Sequence, residues 1–223
     1  MYHDKKVSVA VIKRIPRYYR YLYDLLKMDI TRISSKELSA RMGITASQIR
    51  QDLNCFGGFG QQGYGYNVEA LFNEIGKILG LHNNYQTIII GAGNMGHALA
   101  NYENFEKRGF KLVGIFDMNP RLIGKKMKNL EVMSMDRLDD FVVQTKVDIA
   151  IISVPYEQTP VVADRAARLG IKALWNFSPM DLKLPYDIVI ENVHLSDSLM
   201  VLGYKLNQIY NNGFSGLSDL DEE

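Results

Sequence analysis

The chain has one cysteine, one tryptophan and six prolines in 223 residues, and its Lys and Arg outnumber its Asp and Glu by one. A single thiol, Cys55, excludes an internal disulfide and a Cys-rich zinc site, and it suits a reducing compartment. Beside a predicted helix end, Cys55 reads as a small core hydrophobe. No run of about 18 apolar residues is present, so no membrane helix is predicted. The opening residues Met1-Tyr2-His3-Asp4-Lys5-Lys6 lack the apolar stretch of a secretory signal, and a cytoplasmic location is expected. What the chain does have is 47% hydrophobic residues, enough for one large core or two modest ones. Two domains are expected.

Near-neutrality hides an asymmetry. Residues 1–60 carry 11 Lys and Arg against 5 Asp and Glu, and the remainder carries 15 against 20. The basic end is the candidate polyanion-binding end, although such charge is also common on solvated faces. Pattern decides between the two. From about Ala10 to Met28, Ile15, Tyr18, Tyr19, Leu22, Leu25 and Leu26 fall at helical spacing. Lys13, Arg14, Arg17 and Arg20 cluster toward the start of that segment, and Pro16, tolerated near a first turn, suggests that the helix begins around it. Ser34-Ser35-Lys36-Glu37 has capping-box spacing, Gly43 can end the short helix that follows, and Thr45-Ala46-Ser47-Gln48 repeats the box. Two helices joined by so short a turn make a helix-turn-helix.

In the second of those helices Ala46, Ile49, Leu53 and Phe56 share a core face. The opposite face offers Ser47, Gln48, Arg50, Gln51 and Asn54. Arg suits a guanine edge or a phosphate, Gln an adenine edge, and Ser near a helix N-terminus a phosphate. Alone, this face reads more readily as solvated surface. The next stretch, residues 56–68, alternates glycine with aromatics as a tight two-stranded ribbon would, with the aromatics inward, and it reads as a wing. Arg14, Arg17, Gln61, Gln62 and Tyr64 complete the expected DNA-contacting set. A helix through Val68, Leu71, Phe72, Ile75, Ile78 and Leu79 closes this module near residue 82.

Beyond it, strands are predicted at Thr87–Gly91, Lys111–Phe116, Asn129–Val132, Val147–Val154, Ile171–Phe177 and Asp187–Val193. Helical patterns near Met95–Phe105, Asp136–Gln144 and Thr159–Leu169 separate them. Such alternation implies an α/β fold, a mostly parallel sheet with helices on both faces. Gly91-Ala92-Gly93-Asn94-Met95-Gly96 follows the first strand and opens a helix, and Asp117 ends the next strand. In that context the run is a Rossmann dinucleotide fingerprint: glycine backbone approaches a pyrophosphate at the helix N-terminus, and Asp117 accepts from the adenosine ribose hydroxyls. Its carboxylate would repel a 2′-phosphate, so NAD(H) is expected over NADP(H).

The residues quoted so far, with Arg14 to Leu22, Gln48 to Leu53, Gly63-Tyr64-Gly65-Tyr66, Phe116-Asp117, Ser153-Val154-Pro155 and Asn176-Phe177-Ser178-Pro179, resemble the Rex redox-sensing transcriptional repressors of bacteria. The resemblance covers nearly the whole chain. It implies a homodimer that holds a palindromic operator when NADH is scarce and releases it when NADH binds. Two positions depart from the family pattern. Gln61-Gln62 stand where many members have basic residues, so phosphate contacts there would be fewer or made by neutral donors. His194 stands where many have aspartate, so that aspartate's part in coupling does not carry over; a lone His at a strand end is read as structural rather than pH-sensing.

Leu195, Leu199, Leu202, Leu206 and Ile209 make one apolar stripe of a final helix, and Met200, Val201 and Tyr204 a second. A helix apolar on two sides does not suit a monomer's surface. It is expected to be exchanged in a dimer, between the partner's two domains, as the resemblance also implies. The expected organisation is therefore a winged helix over residues 1–82, a Rossmann-like doubly wound sheet over 83–194, a dimerisation helix over 195–210 and a flexible acidic tail over 211–223. Two enzyme-like readings compete. Tyr23 and Lys27 have the Tyr-x-x-x-Lys spacing of some dehydrogenases, but they lie in the first basic helix, ahead of the nucleotide loop. A CoA-binding module also joins a Gly-rich loop to a parallel sheet, though it lacks a helix-turn-helix and wing. No hydride acceptor or general base stands out, and no enzyme is expected.

Overall fold

The computed structural model describes residues 7–61 and 64–212. The chain divides into two compact units, one built on residues up to His82 together with those from Gln208 onward, and the other on Asn83–Asn207.

In the first unit α1 (Val9–Lys27), α2 (Ser35–Met42), α3 (Ala46–Asn54) and α4 (Val68–Ile78) surround one core. Tyr18, Leu22, Leu38, Ile49, Val68 and Ile75 have no exposed surface there, and each such side chain stabilises the fold by about 1.5–3 kcal/mol. α1 starts seven residues before Pro16, with Ser8 as N-cap, so the expectation that Pro16 marks its start fails. Burial of Ile15 and Tyr18 on either side holds the helix across the hydrogen bond that proline cannot make. Gly43 ends α2 in the left-handed conformation (φ 66°). A small antiparallel sheet pairs β1 (Arg32–Ile33) with β3 (Gly65–Asn67), and β3 with β2 (Gly60–Gln61). The ribbon is thus the predicted wing, with β1 an unforeseen third strand. Tyr66 is buried and Phe56 and Phe59 pack against the core, but Tyr64 is 71% exposed and does not follow the inward pattern.

The second unit is a seven-stranded sheet in the order β10-β9-β8-β4-β5-β7-β6. Its members are β4 (Tyr85–Ile90), β5 (Phe110–Asp117), β6 (Lys126–Met127), β7 (Leu130–Ser134), β8 (Ile149–Ile152), β9 (Ala173–Asn176) and β10 (Val189–Asn192). All pairings are parallel except β6 with β7, an edge hairpin the sequence patterns did not suggest. Its helices include α5 (Asn94–Ala100), α6 (Asn104–Lys107), α7 (Leu138–Gln144) and α8 (Thr159–Arg168). α5 stops short of the predicted Phe105: Asn101 caps it, and both its backbone N–H (3.2 Å) and its side-chain amide (2.8 Å) donate to the His97 carbonyl. Separate apolar clusters lie on the two faces of the sheet, as doubly wound topology requires.

α9 (Leu195–Asn212) runs two residues past its expected end. Residues 213–223, most of the expected tail, and Gln62 of the wing lie outside the described residues, as does the side chain of Gln61. No helix among the described residues is long and apolar enough to cross a membrane.

Candidate functional site

The order of the large sheet reverses direction between β4 and β8: the chain goes from β4 outward through β5 to β7, then returns to β8 and continues to β10. The loops leaving the two central strands therefore diverge and open a crevice at the carboxyl end of the sheet. A cavity of about 550 Å³ occupies that place. Ile90, Gly91 and Gly93 line it from β4, Asp117 to Pro120 from β5, and Ser153, Val154 and Pro155 from β8.

Backbone geometry explains the glycines. Gly91 sits at φ 104°, and a Cβ there would meet the Ser153 carbonyl oxygen at 2.5 Å; a Cβ on Gly96 would meet the Gly91 carbonyl oxygen. The loop is thus packed edge-on against its neighbours, and Ser153 braces it by donating to the Gly91 carbonyl (2.8 Å). Gly93 is the N-cap of α5 and offers no side chain to the first turn. Gly93 and Asn94 are exposed, Met95 half-buried, and Ala92 and Gly96 buried, so the second glycine and Asn94 present the accessible backbone. Asp117 is half-buried; one carboxylate oxygen accepts from Ala92 N–H and the other from Asn119 N–H (2.7 Å). It ties the strand end to the glycine loop.

Sequence reasoning named the loop and Asp117 but missed Met118, Pro120, Leu122, Met135, Gln158 and Val162 on the cavity wall. Their only signal is position: each lies on or just after a strand end, on a helix start or on the cavity-facing side of α8, and becomes a lining residue only once the strand order is known.

On the first unit, α3 exposes Ser47, Arg50, Gln51 and Asn54, and half-exposes Gln48, opposite buried Ile49 and Leu53. Ser47, Arg50, Gln51, Asn54 and Cys55 line one shallow concavity. Cys55 is only half-buried, which corrects its reading as core; its thiol donates to the Gln51 carbonyl. Arg50 donates to the Ser35 hydroxyl at 3.0 Å, bridging the two helices of the motif. Exposed Tyr64 belongs to the wing, and its carbonyl accepts from Arg32.

Two of the basic residues expected on phosphates have internal partners. Arg14 makes a two-pronged ion pair with Asp52, at 2.7 and 2.8 Å, and only 24% of its side chain is exposed. Arg17, which is exposed, donates to the Met42 carbonyl at the end of α2. The signal for Arg14 lay in the sequence: Asp52 falls on the apolar face of α3 three residues after Ile49, and a carboxylate buried there needs a cation. Only the first half of the second capping box forms, with Thr45 accepting from Gln48 N–H, because the Gln48 amide is drawn to Asp52. Tyr23 and Lys27 pack against each other in the first unit, ammonium over ring at 4.5 Å, which is an ordinary helix-surface contact. His194 pairs with Asp181 at 2.9 Å, which raises the imidazole pKa through that hydrogen bond against the opposing effect of burial.

Comparison with known proteins adds to this geometry. A model described as "Putative DNA-binding protein N-terminus" matches residues 6–54, and one described as "CoA binding domain" matches residues 82–180. The chain is 63% identical to the redox-sensing transcriptional repressor Rex of Thermoanaerobacter pseudethanolicus, covering 91% of each chain, and 57% identical to that of Clostridium perfringens, covering 93% of this chain and 98% of the other. Among solved structures, the protein RSP in complex with β-NAD+ and operator DNA matches at 59% identity with a TM-score of 0.87, over 97% of this chain and 99% of that one. RSP in complex with β-NADH matches at 58% with a TM-score of 0.85, over 92% and 96%.

Proposed function

This chain belongs to the Rex family of redox-sensing transcriptional repressors, and we propose that its two units divide that work as a reader of DNA and a reader of NAD(H). It is a DNA-binding repressor with NADH and NAD+ as regulatory ligands, and it does its work in the cytoplasm rather than as an enzyme. Residues 1–82 form the DNA-binding domain. Ser47, Gln48, Arg50 and Gln51 meet base edges and nearby phosphates in the major groove, Arg17 a flanking phosphate, and Gln61, Gln62 and Tyr64 the backbone beside the wing. Arg14 contributes by holding α3 through Asp52. Residues 83–194 form the nucleotide domain. Gly91, Ala92, Gly93, Asn94, Met95 and Gly96 cradle the pyrophosphate, and Asp117 takes the adenosine ribose.

The observation that carries this reading is the crevice at the reversal of strand order, with Gly93 and Asp117 on its wall. The exposed apolar faces of α9, with Leu199 67% and Tyr210 77% exposed, support a homodimer that offers two recognition helices to a palindromic operator. The coupling is a difference in affinity. NADH releases DNA only if it binds better to the dimer arrangement that does not fit the operator, since equal affinity would shift nothing.

Asp117→Ala tests the nucleotide half. NADH binding followed by nucleotide fluorescence weakens by about tenfold or more, the loss of a charge-assisted contact of about 1.5–3 kcal/mol, while ligand-free operator affinity is unchanged. Unaltered NADH affinity would remove Asp117 from the site.

A further inference from the structure

Asp52 has no exposed surface, yet its carboxylate collects four hydrogen bonds. Arg14 donates Nε to Oδ2 and Nη2 to Oδ1, Tyr18 donates its hydroxyl to Oδ2 (2.9 Å), and Gln48 donates Nε2 to Oδ1 (2.8 Å). Burial alone would raise the Asp52 pKa, but donation from Arg14, Gln48 and Tyr18 overcomes it and holds the group below the usual carboxylate range. Asp52 is therefore an anion at neutral pH, and an ionised carboxylate can only accept.

That settles the orientation of the Gln48 amide. Oxygen facing Asp52 would set two acceptors together with no proton between them, so the nitrogen must face inward and Oε1 must turn away. Gln48 is the third residue of α3, half-exposed, at the end of a recognition helix that meets base edges. The exocyclic amino groups of adenine and cytosine are the major-groove donors; guanine O6 and thymine O4 are acceptors.

We propose that Gln48 is a specificity-determining residue whose Oε1, oriented by Asp52, accepts from the exocyclic amino group of an adenine or cytosine in the operator. Asp52 is the positioning residue. This rests on the reading of α3 as the recognition helix. It selects against guanine and thymine at that one base, since each would set a carbonyl against Oε1. Arg50 and Gln51 lie outside this network and keep their own contacts.

The test uses the full-length chain and a palindromic duplex that the wild-type chain has selected from random-sequence DNA. Each adenine is replaced in turn by purine, and each cytosine by 2-pyrimidinone, which deletes only the amino group. At one position per half-site wild type loses about three- to tenfold in affinity, the value of one hydrogen bond. Gln48→Met shows no such loss at that position and keeps the others. Asp52→Asn, whose amide no longer dictates which end of Gln48 faces it, shrinks the loss at that same position only. The ratio of analogue to parent affinity is insensitive to the fraction of chain folded, so a merely structural effect leaves it unmoved. If Asp52→Asn does not fold, Gln48→Met still decides. An unchanged pattern of losses in Gln48→Met would overturn the assignment, and a full loss retained in Asp52→Asn would remove Asp52 from it. Arg50→Ala in the same assay separates the two levels: operator affinity unchanged in both Arg50→Ala and Gln48→Met would sink the reading of α3 itself.

Discussion

At the scale of single residues, the arginines of the basic end have different jobs that charge alone does not reveal. Arg14 is spent inside the fold, so Arg14→Ala leaves Asp52 buried without its cation. Thermal unfolding should show a loss of about 3 kcal/mol or more in that variant. Arg50→Ala touches only an exposed serine contact, so it should melt like wild type and instead weaken operator binding by about 1–3 kcal/mol. If the two variants exchanged these phenotypes, the assignment of buried and reading arginines would be wrong. Asp52 also sets a pH dependence. Its folded pKa is depressed, so its contribution to stability is complete above the unfolded value near 3.9 and is lost as pH falls through the lower folded value. Acid unfolding of wild type should steepen in that window, and Asp52→Asn should lack that component; parallel acid profiles would count against a depressed Asp52.

At the scale of elements, what was legible in the sequence is what depends on local chemistry. The Ser34 and Glu37 capping box, the left-handed Gly43, the alternation of strand and helix, and the loop from Gly91 to Gly96 each follow from residues within a turn of one another. What was missed depends on residues brought together from afar. β1 pairs across to Asn67 and Tyr66, so two residues acquire strand character only through a partner more than thirty positions away. Pro16 lies inside α1 because the buried faces of Ile15 and Tyr18 outweigh a local rule. Likewise the second capping box lost its reciprocal half to Asp52. The candidate site was half legible for the same reason: the glycines and Asp117 carry a spacing, whereas Met118, Met135 and Val162 come to line the crevice only through strand order.

At the scale of the molecule, α9 is the element least accounted for by its own chain. Leu195, Leu199, Met200 and Leu202 are each more than half exposed, and Leu206 nearly so. Truncation before Leu195 should give a monomer or an aggregate by light scattering, and a well-behaved dimer of the truncated chain would refute its role in assembly. In the proposed dimer, coupling would join the two readers, and its sign would be fixed by which nicotinamide state favours release. The most direct test is a gel-shift titration of the selected palindromic duplex with NADH and, separately, with NAD+, for wild type and Asp117→Ala. NADH should release wild type from DNA at concentrations where NAD+ leaves it bound, and Asp117→Ala should need about tenfold more NADH, in step with its weaker nucleotide contact. Equal release by both nucleotides, or release of Asp117→Ala at the wild-type NADH concentration, would contradict the account.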